Sequence, residues 1–406
     1  MNAWSLSQLS IKLADAGVEW TRWTHASVSR DLQNISGGFE LEYIDDGRIA
    51  QSLPDLLMPP PFFQIVRAGM ACIISIDGET VLDGYIDDVN ISWEASSLRA
   101  SITGRDKTGD LVDCAALPDG PSEFRKVDLL TVARTVCAPY GITASADVDI
   151  GETFERLALA PHETAMAFLE KGARQRSVLL VSDGIGGLLL TRGGTTRGAA
   201  PLTRPGNIAG GGLRSTWRTR FSDYYVKGQT DTRRATAGGA PALSSLVVPP
   251  SSGYEPNYAV QTTARSTTLM TGHARDPEIT RYRPTVRLTR SQSGMSTTQE
   301  QAEWALRVAR GQADVLTYTV LEWRGNGELW RPNTRVQVTD PYADLDKEML
   351  IAGVHFTYGE DGQKTQLRLV GVTAYDRINE AQRRRQRVIS RPTAAGSIIV
   401  PELKTQ

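Results

Sequence analysis

The stretch Met70–Ile86 sets the first limit on what this chain can fold into. Two β-forming runs, Met70–Ile76 and Thr80–Ile86, flank the pair Asp77-Gly78. Asp-Gly accepts positive φ at both turn positions and so closes a two-residue hairpin. The pattern continues: Val89–Trp93 and Leu98–Thr103 flank a turn at Glu94–Ser97. Ser5–Leu13, Trp20–Arg30 and Gly38–Ile44 are further strand candidates, and no helix-period stretch interrupts them. Several short antiparallel strands with close turns require a sandwich or a small barrel. Residues 1–118 are therefore read as an all-β unit.

One loop in this unit stands out. Leu56, Leu57, Met58, Pro59, Pro60 and Pro61 precede Phe62 and Phe63. Proline cannot donate to a central ladder, so the segment lies outside the sheet. Two roles fit a greasy, proline-stiffened loop: it tucks onto its own domain, or it forms a protein contact.

The texture changes at Pro118-Asp119-Gly120-Pro121. Asp128 is a helix cap for Leu129–Ala138, with Leu129, Leu130, Ala133, Val136 and Cys137 on one side. Pro139 and Gly141 stop that helix. A second helix is expected from His162 to Arg174, with Ala165, Phe168, Leu169 and Ala173 inward. Val178–Ser182 and Leu188–Arg192 form a hairpin. Residues 119–203 are thus an α+β unit.

Leu202–Gly212 reads as a Gly/Pro linker and Leu213–Gln229 as renewed strand. Residues 230–275 are rich in Ala, Gly, Pro, Ser and Thr and read as long loops. Ser296-Thr297-Thr298-Gln299 matches a capping box, followed by the helix face Ala302, Ala305, Leu306 and Ala309, with Gly311 as its end. Strands return at Val315–Trp323, Arg335–Val338, Met349–Tyr358 and Thr365–Thr373. An internal echo links Ile73–Asp110 to Val336–Asp376. Each holds a strand, a turn or loop, a second strand, a polar turn, Leu-Arg and a final strand ending near Asp. Its physical meaning would be a duplicated barrel. Two similar barrels in one chain let a trimer present six quasi-equivalent units to a six-fold partner.

Charge narrows the class. Over 406 residues the formal net charge is −1, which demotes a globally basic nucleic-acid binder. The neutrality conceals a division. Residues 1–150 carry 11 Lys and Arg against 22 Asp and Glu, and residues 151–406 carry 34 against 24. Arg outnumbers Lys by 37 to 8, a preference suited to interfacial ion pairs. Such a chain can associate head to tail or meet charged partners, or the division is only that of an uneven solvated surface. Cys72, Cys114 and Cys137 offer neither a disulfide framework nor a metal knuckle and read as small buried residues of a reducing compartment. No basic, apolar leader and no apolar run of about 20 residues is present, so a soluble, cytoplasmically made chain is expected.

No catalytic, metal or cofactor set emerges. His162-Glu163-Thr164-Ala165-Met166 starts like a zinc-protease helix, but Met166 replaces the second ligand. His25 and His355 fall in strands and read as structural. Gly184-Ile185-Gly186-Gly187 is a hairpin turn and opens no helix, against dinucleotide binding. Phosphate-loop lysine and nucleophile-elbow patterns are lacking. Asp45-Asp46, Asp87-Asp88 and Glu360-Asp361 read as solvated turns. Two rival readings are a cell-wall hydrolase, which needs paired carboxylates in a groove, and a carbohydrate-binding adhesin, which needs an exposed aromatic platform. Trp4, Trp20, Trp23, Trp217, Trp304, Trp323 and Trp330 are candidates for such a platform but follow core patterns.

Several stretches together resemble the baseplate hub proteins of contractile-tailed, Mu-like bacteriophages, the gpP type. They are SVSRDLQNISGGFELEY, GYIDDVNISWEASSLRASITGRDKTGDLVDCAA, ETAMAFLEKGARQRSVLLVSDGIGGLLLTR, RFSDYYVKGQ and LWRPNTRVQVTD with LIAGVHFTYGEDGQKTQLRL. Gly104–Asp113 is the most specific. The resemblance implies a mainly β fold with α+β insertions: two tail-tube-like β-barrels per chain plus peripheral α/β domains. On that basis 1–118 is the first barrel, 119–203 a peripheral domain, and 204–230 with 313–375 the second barrel. Residues 231–312 are then an insertion and 376–406 a basic tail. It also implies a homotrimer that joins the hexameric tail tube to a trimeric spike, contacts other baseplate proteins and meets the host membrane only through the spike. DNA only passes through its lumen, which the acidic front half is expected to line or rim. The place is the virion tail, assembled in the host bacterial cytoplasm, with no enzyme activity and no cofactor.

Two partner surfaces are expected. Leu56, Leu57, Met58, Pro59, Pro60, Phe62 and Phe63 should pack between barrels. Arg383, Arg384, Arg385 and Arg387 should hold the spike or a neighbouring baseplate protein. Reversing those four charges to Glu is expected to reduce spike co-purification; unchanged recovery would count against the assignment.

Overall fold

The computed structural model describes residues 7–46, 61–94, 97–176, 178–194, 196–198, 200–232, 266–288 and 298–376. The leading β region supplies β1 (Leu9–Leu13), β2 (Glu19–Trp20), β3 (His25–Asp31), β4 (Gly38–Asp46), helix α1 (Pro61–Ile65), β5 (Ala71–Ile76), β6 (Glu79–Trp93), β7 (Ser97–Asp106) and the short α2 (Gly109–Asp113). An α+β stretch follows with β8 (Glu123–Phe124), α3 (Leu129–Cys137), β9 (Thr143–Ala146), β10 (Leu157–Ala158), α4 (Ala165–Arg176), β11 (Leu179–Ser182) and β12 (Gly187–Thr191). Then come β13 (Thr196–Arg197), β14 (Leu202–Thr203), β15 (Ile208–Ser215), β16 (Asp223–Thr232), β17 (Ser266–Arg275), β18 (Pro284–Leu288) and α5 (Thr298–Ala313). The chain ends in β19 (Asp314–Val320), β20 (Arg324–Gly325), β21 (Glu328–Leu329), β22 (Thr334–Asp340), β23 (Leu345–Gly359) and β24 (Gly362–Gly371).

Local signals explain many of these elements. Asp77 at φ 52° and Gly78 at φ 78° close the β5–β6 hairpin, the conformation an Asp-Gly pair permits. Asp128 caps α3 by accepting from the Thr131 amide at 2.7 Å. Helix α4 buries Ala165, Phe168, Leu169 and Ala173 as their spacing requires. It starts three residues later than expected, at Ala165, with Thr164 Oγ1 accepting from the Ala167 amide.

Two compact units form: Met1–Arg220 with Arg307–Gln406, and Phe221–Leu306. The larger contains a sheet of order β15-β19-β24-β23-β3-β4-β7-β6-β5-β1-β2, with β22 joined to β23 and β13 and β14 joined to β22. The expected pair of separate barrels is not what the chain builds. No closed barrel forms among the described residues, because β23 pairs antiparallel with β3 from Gly353↔Asp31 to Tyr358↔Ala26 and merges both halves into one sheet. One apolar core runs beneath both, from Leu9, Ile11 and Leu41 to Phe356, Leu367 and Leu369. The α+β stretch has its own core around Leu129, Val136, Phe168 and Leu188.

The sequence echo is a structural repeat. The runs β5-β6-β7-β4-β3 and β22-β23-β24-β19-β15 follow the same order. Strands β6 and β23 each have 15 residues, and β7 and β24 each have 10. Both long strands are interrupted by a bulge, between Ile86 and Asp88 in one and between Ile351 and Gly353 in the other. A bulge bends its strand and increases local twist. In both repeats the leading part of the long strand therefore serves one neighbour and the trailing part another.

Three expectations change. The Gly-rich linker at 202–212 contains an edge strand: β15 pairs with β19 from Ile208↔Val320 to Ser215↔Asp314. A ladder uses backbone groups, so glycine run and strand are compatible. Gly211 is required, since a Cβ there would sit 2.4 Å from the Tyr318 ring. The strand expected over 213–229 breaks, and β16 pairs with β17 and β18 in the smaller unit, outside the second β region to which it was assigned. Gly311 does not end its helix, which runs to Ala313. A Cβ at Gly311 would lie 2.5 Å from the Ala374 amide nitrogen, so close backbone approach explains this glycine. Of the capping box, Ser296 and Thr297 lie outside the described residues, and Gln299 instead bonds both the amide and the carbonyl of His273.

Gly84 offers a direct test of strand packing. A Cβ there would meet the Arg105 carbonyl oxygen at 1.9 Å and the Asp106 Cα at 2.6 Å. Gly84→Ala is expected to lower unfolding free energy by about 1–3 kcal/mol, as overpacking does. Urea melts would read this as an earlier midpoint, and an unshifted midpoint would contradict the packing.

Candidate assembly surface

Among the described residues no cluster of His, Cys, Asp and Glu is arranged to hold a metal. His355 Nε2 lies 2.8 Å from Ser27 Oγ, and burial lowers its pKa. In the smaller unit Asp223 touches both His273 Nε2 and Ser222 Oγ at 2.8 Å. The Ser222 hydroxyl first, and His273 second, hold that carboxyl below its ordinary range. Hydroxyl and imidazole both bind the carboxylate, whereas nucleophilic catalysis needs the base against the hydroxyl. Cys72 and Cys137 are buried and their thiols are pushed up to about 12 by burial, which leaves them unreactive at neutral pH. Cys114, read from sequence as buried, is exposed.

A cleft of about 520 Å³ opens beside Leu32, Ile35, Val112, Met166 and Tyr375. Its charged wall residues are committed elsewhere. Arg105 pairs with Asp87 and Asp113, both at 2.8 Å, and Glu170 pairs with Arg174. Of the tryptophans considered for a platform, Trp4 lies outside the described residues, Trp23, Trp323 and Trp330 are buried, and Trp217 lies under the Arg220 guanidinium.

The expected partner surfaces fall as follows. Leu56, Leu57, Met58, Pro59 and Pro60 lie outside the described residues, as do Arg383, Arg384, Arg385 and Arg387. Phe62 and Phe63 are described and are each only 1% exposed. Their rings meet edge to face at 5.2 Å. Phe62 stacks on Trp20 at 5.7 Å and Phe63 on Tyr43 at 5.4 Å. The two rings thus close the core of their own subunit and present no free surface.

What the structure does expose is strand edge. β15 is paired only on its β19 side, and β6 beyond Ile86 only on its β7 side, among the described residues. Trp93 at the end of β6 is 77% exposed and Leu213 on β15 is 48% exposed. Open edges with large apolar side chains are a liability in a monomer and a resource in an assembly. Local sequence reading missed both, because β15 looked like a linker; its signal was Leu213 within an otherwise small-residue run.

A repeated β architecture, open edges and core-bound aromatics suit a structural assembly protein. Three family profiles match in order. They are the Mu phage baseplate assembly protein GpP-like N-terminal domain over residues 10–106, the baseplate hub protein gp44-like second domain over 108–192 and the GpP fourth domain over 294–377. The baseplate hub protein gp44 of Escherichia phage Mu is 30% identical over 370 residues, 89% of this chain and 87% of that protein. The chain belongs to this family of Mu-like baseplate hub proteins. The 43 kDa tail protein of prophage MuSo2 from Shewanella oneidensis shares its fold at a TM-score of 0.72 and 30% identity, covering 91% of this chain and 100% of that one. A tail protein from Neisseria meningitidis MC58 superposes with a TM-score of 0.69 at 20% identity, over 91% and 99% of the two chains.

Because Phe63 fills its own core, Phe63→Ala is expected to destabilise the subunit by about 3–5 kcal/mol. Chemical denaturation of the purified chain checks this. A full-stability variant that instead failed to associate would return Phe63 to the subunit interface.

Proposed function

We propose that the chain is a structural hub of a contractile tail, without enzymatic activity. Three copies form a ring whose two β regions per chain act as six quasi-equivalent, tube-like units. One face of the ring continues the hexameric tail tube, and the other carries the trimeric spike. Other baseplate proteins meet its periphery. On sheath contraction the hub travels with tube and spike, the spike leaves, and DNA passes through the lumen. The protein resides in the virion tail after assembly in the host bacterial cytoplasm.

The observation that carries this reading is the 30% identity to the Mu baseplate hub protein along nearly the whole chain. The internal repeat supports it, because two similar strand runs in one chain are what a three-fold adaptor to a six-fold tube requires. The acidic bias of residues 1–150 suits a lumen wall, where like charge keeps the DNA backbone from adhering.

Mass measurement and negative-stain imaging of the purified full chain test the proposal. The expected particle has three copies and a central hole. A monomer at micromolar concentration, or an assembly without a hole, would overturn it.

A further inference from the structure

The smaller unit holds a sheet of order β17-β16-β18 with two unlike faces. On one face Tyr224, Val226 and Ala274 are buried. A Cβ on Gly272 would lie 2.0 Å from the Thr298 carbonyl oxygen, so the first turn of α5 closes that face. The register sets the other face. Arg275, Asp223 and Pro284 form one cross-strand row, His273, Tyr225 and Val286 the next, and Thr271, Lys227 and Leu288 the third. The Tyr225 and His273 rings stack at 4.5 Å. Val286 is 57% and Leu288 77% exposed.

The end of β18 is bare on both faces and on its outer edge. Val286, Arg287 and Leu288 are exposed in succession. Among the described residues β18 pairs with β16 alone. Pro284 has no amide hydrogen to donate. In the parallel ladder to β16 the main-chain bonds therefore run through Thr285 and Arg287, and the main-chain groups of Val286 and Leu288 point outward. An edge strand that shows aliphatic side chains and free main-chain groups is a template for a further strand.

The surrounding charge selects what can pair there. Lys227, Arg281 and Arg287 are exposed and make no hydrogen bond or ion pair among the described residues. Asp223, the carboxylate in the row of Arg275, is already bound by Ser222 and His273. The edge is thus positive and in want of carboxylates. A single nucleic-acid strand would ask for aromatic faces beside the cations, and here aliphatic side chains flank Arg287 instead.

We propose that β18 is the docking strand for an extended segment of a different tail protein, one in which carboxylates alternate with aliphatic side chains. The segment pairs with the outward main-chain groups of Val286 and Leu288 and sets its aliphatic side chains beside theirs. A carboxylate then falls beside Arg287 on the opposite face. Main-chain bonds supply affinity in this mode, and alternate side chains supply specificity. This names the chemistry of one baseplate partner and rests on the hub reading for that partner's place in the tail.

Fluorescence anisotropy tests the edge, with the full-length chain and a short labelled peptide of alternating Val and Glu. Binding is expected at low salt. It should fall by at least about tenfold with Arg287→Glu, and equally with Val286→Pro, which removes one outward donor and spares the ladder to β16. A peptide of alternating Val and Lys should stay unbound. Equal binding of the two peptides, or unchanged binding by both variants, overturns the docking strand. Displacement of the peptide by an equal concentration of oligothymidylate would assign the cations to nucleic acid, and self-association lost with Val286→Pro would assign the edge to a second copy; either overturns the proposal. A trimeric ring that does not bind the Val-Glu peptide overturns the docking strand and leaves the hub reading standing. A monomer that binds it overturns the hub reading and leaves the chemistry of the edge standing.

Discussion

The antiparallel joint between β23 and β3 is the interaction on which the rest depends. It converts two short β regions, each with exposed edges, into one sheet with a common core. Alternate residue pairs of the ladder exchange backbone hydrogen bonds, and Phe356 with Val28 seals the apolar side. Arg368 reinforces the joint. Its Nε donates to Asp31 Oδ2 at 2.9 Å and Nη2 donates to Oδ1 at 2.5 Å. Forked guanidinium–carboxylate contacts of this kind add direction as well as energy. Further along, Arg324 reaches Asp77 and Glu79 beside the β5–β6 turn, tying the β20–β21 hairpin to the first repeat. The preference for Arg over Lys thus has a structural expression inside the chain.

A second anchor holds the α+β stretch to the sheet. Arg30 on β3 is half-buried, and its Nη2 donates to the Ser182 carbonyl at the end of β11 at 2.9 Å. Burial pulls its pKa down to about 10, still well above neutral pH, so it stays charged. Burial likewise pushes the Asp106 carboxyl up, while Thr108, Ser182 and the Gly37 amide, together with Arg30, oppose that shift. Asp106 ends β7 and bonds the amides of Gly37 and Thr108 at 3.0 Å. One carboxylate therefore fixes the exit of the sheet, the start of α2 and the loop before β4. The Gly104–Asp113 run, which the family resemblance singles out, thus sits where sheet, helix and loop meet.

Elements specified by neighbours in sequence were legible, and elements specified across the chain were not. The β5–β6 hairpin was readable because Asp77-Gly78 carries its own turn geometry. Helix α3 was readable because Asp128 precedes a periodic apolar face. The joint of β3 with β23 has no local signal, since its partners lie more than 300 residues apart, as Arg368 and Asp31 show. Residues 1–118 therefore read as a self-contained barrel when they are half of a shared sheet. The glycines of β15 and Gly311 were misread for a related reason. Glycine suggests a turn locally, yet here it admits a Tyr318 ring or a neighbouring backbone. Phe62 and Phe63 illustrate the limit for interfaces: an aromatic pair beside prolines looks the same from sequence whether its pocket lies in the same subunit or in another.

The two repeats also differ in the charge of their strand edges. An internally duplicated protein can cover an edge of one repeat with a strand of the other, and here one edge and one strand stay unpaired among the described residues. If both repeats were identical in charge, the leftover strand would compete for the internal joint. Divergence removes that competition. The internal joint is dominated by Phe356, Val28 and the Arg368–Asp31 pair, whereas the leftover acceptor edge carries Asp87 and Asp88 and the leftover donor carries Arg214. Like charges directly across a ladder are destabilising. An acidic edge of this kind therefore disfavours pairing with a second copy of itself.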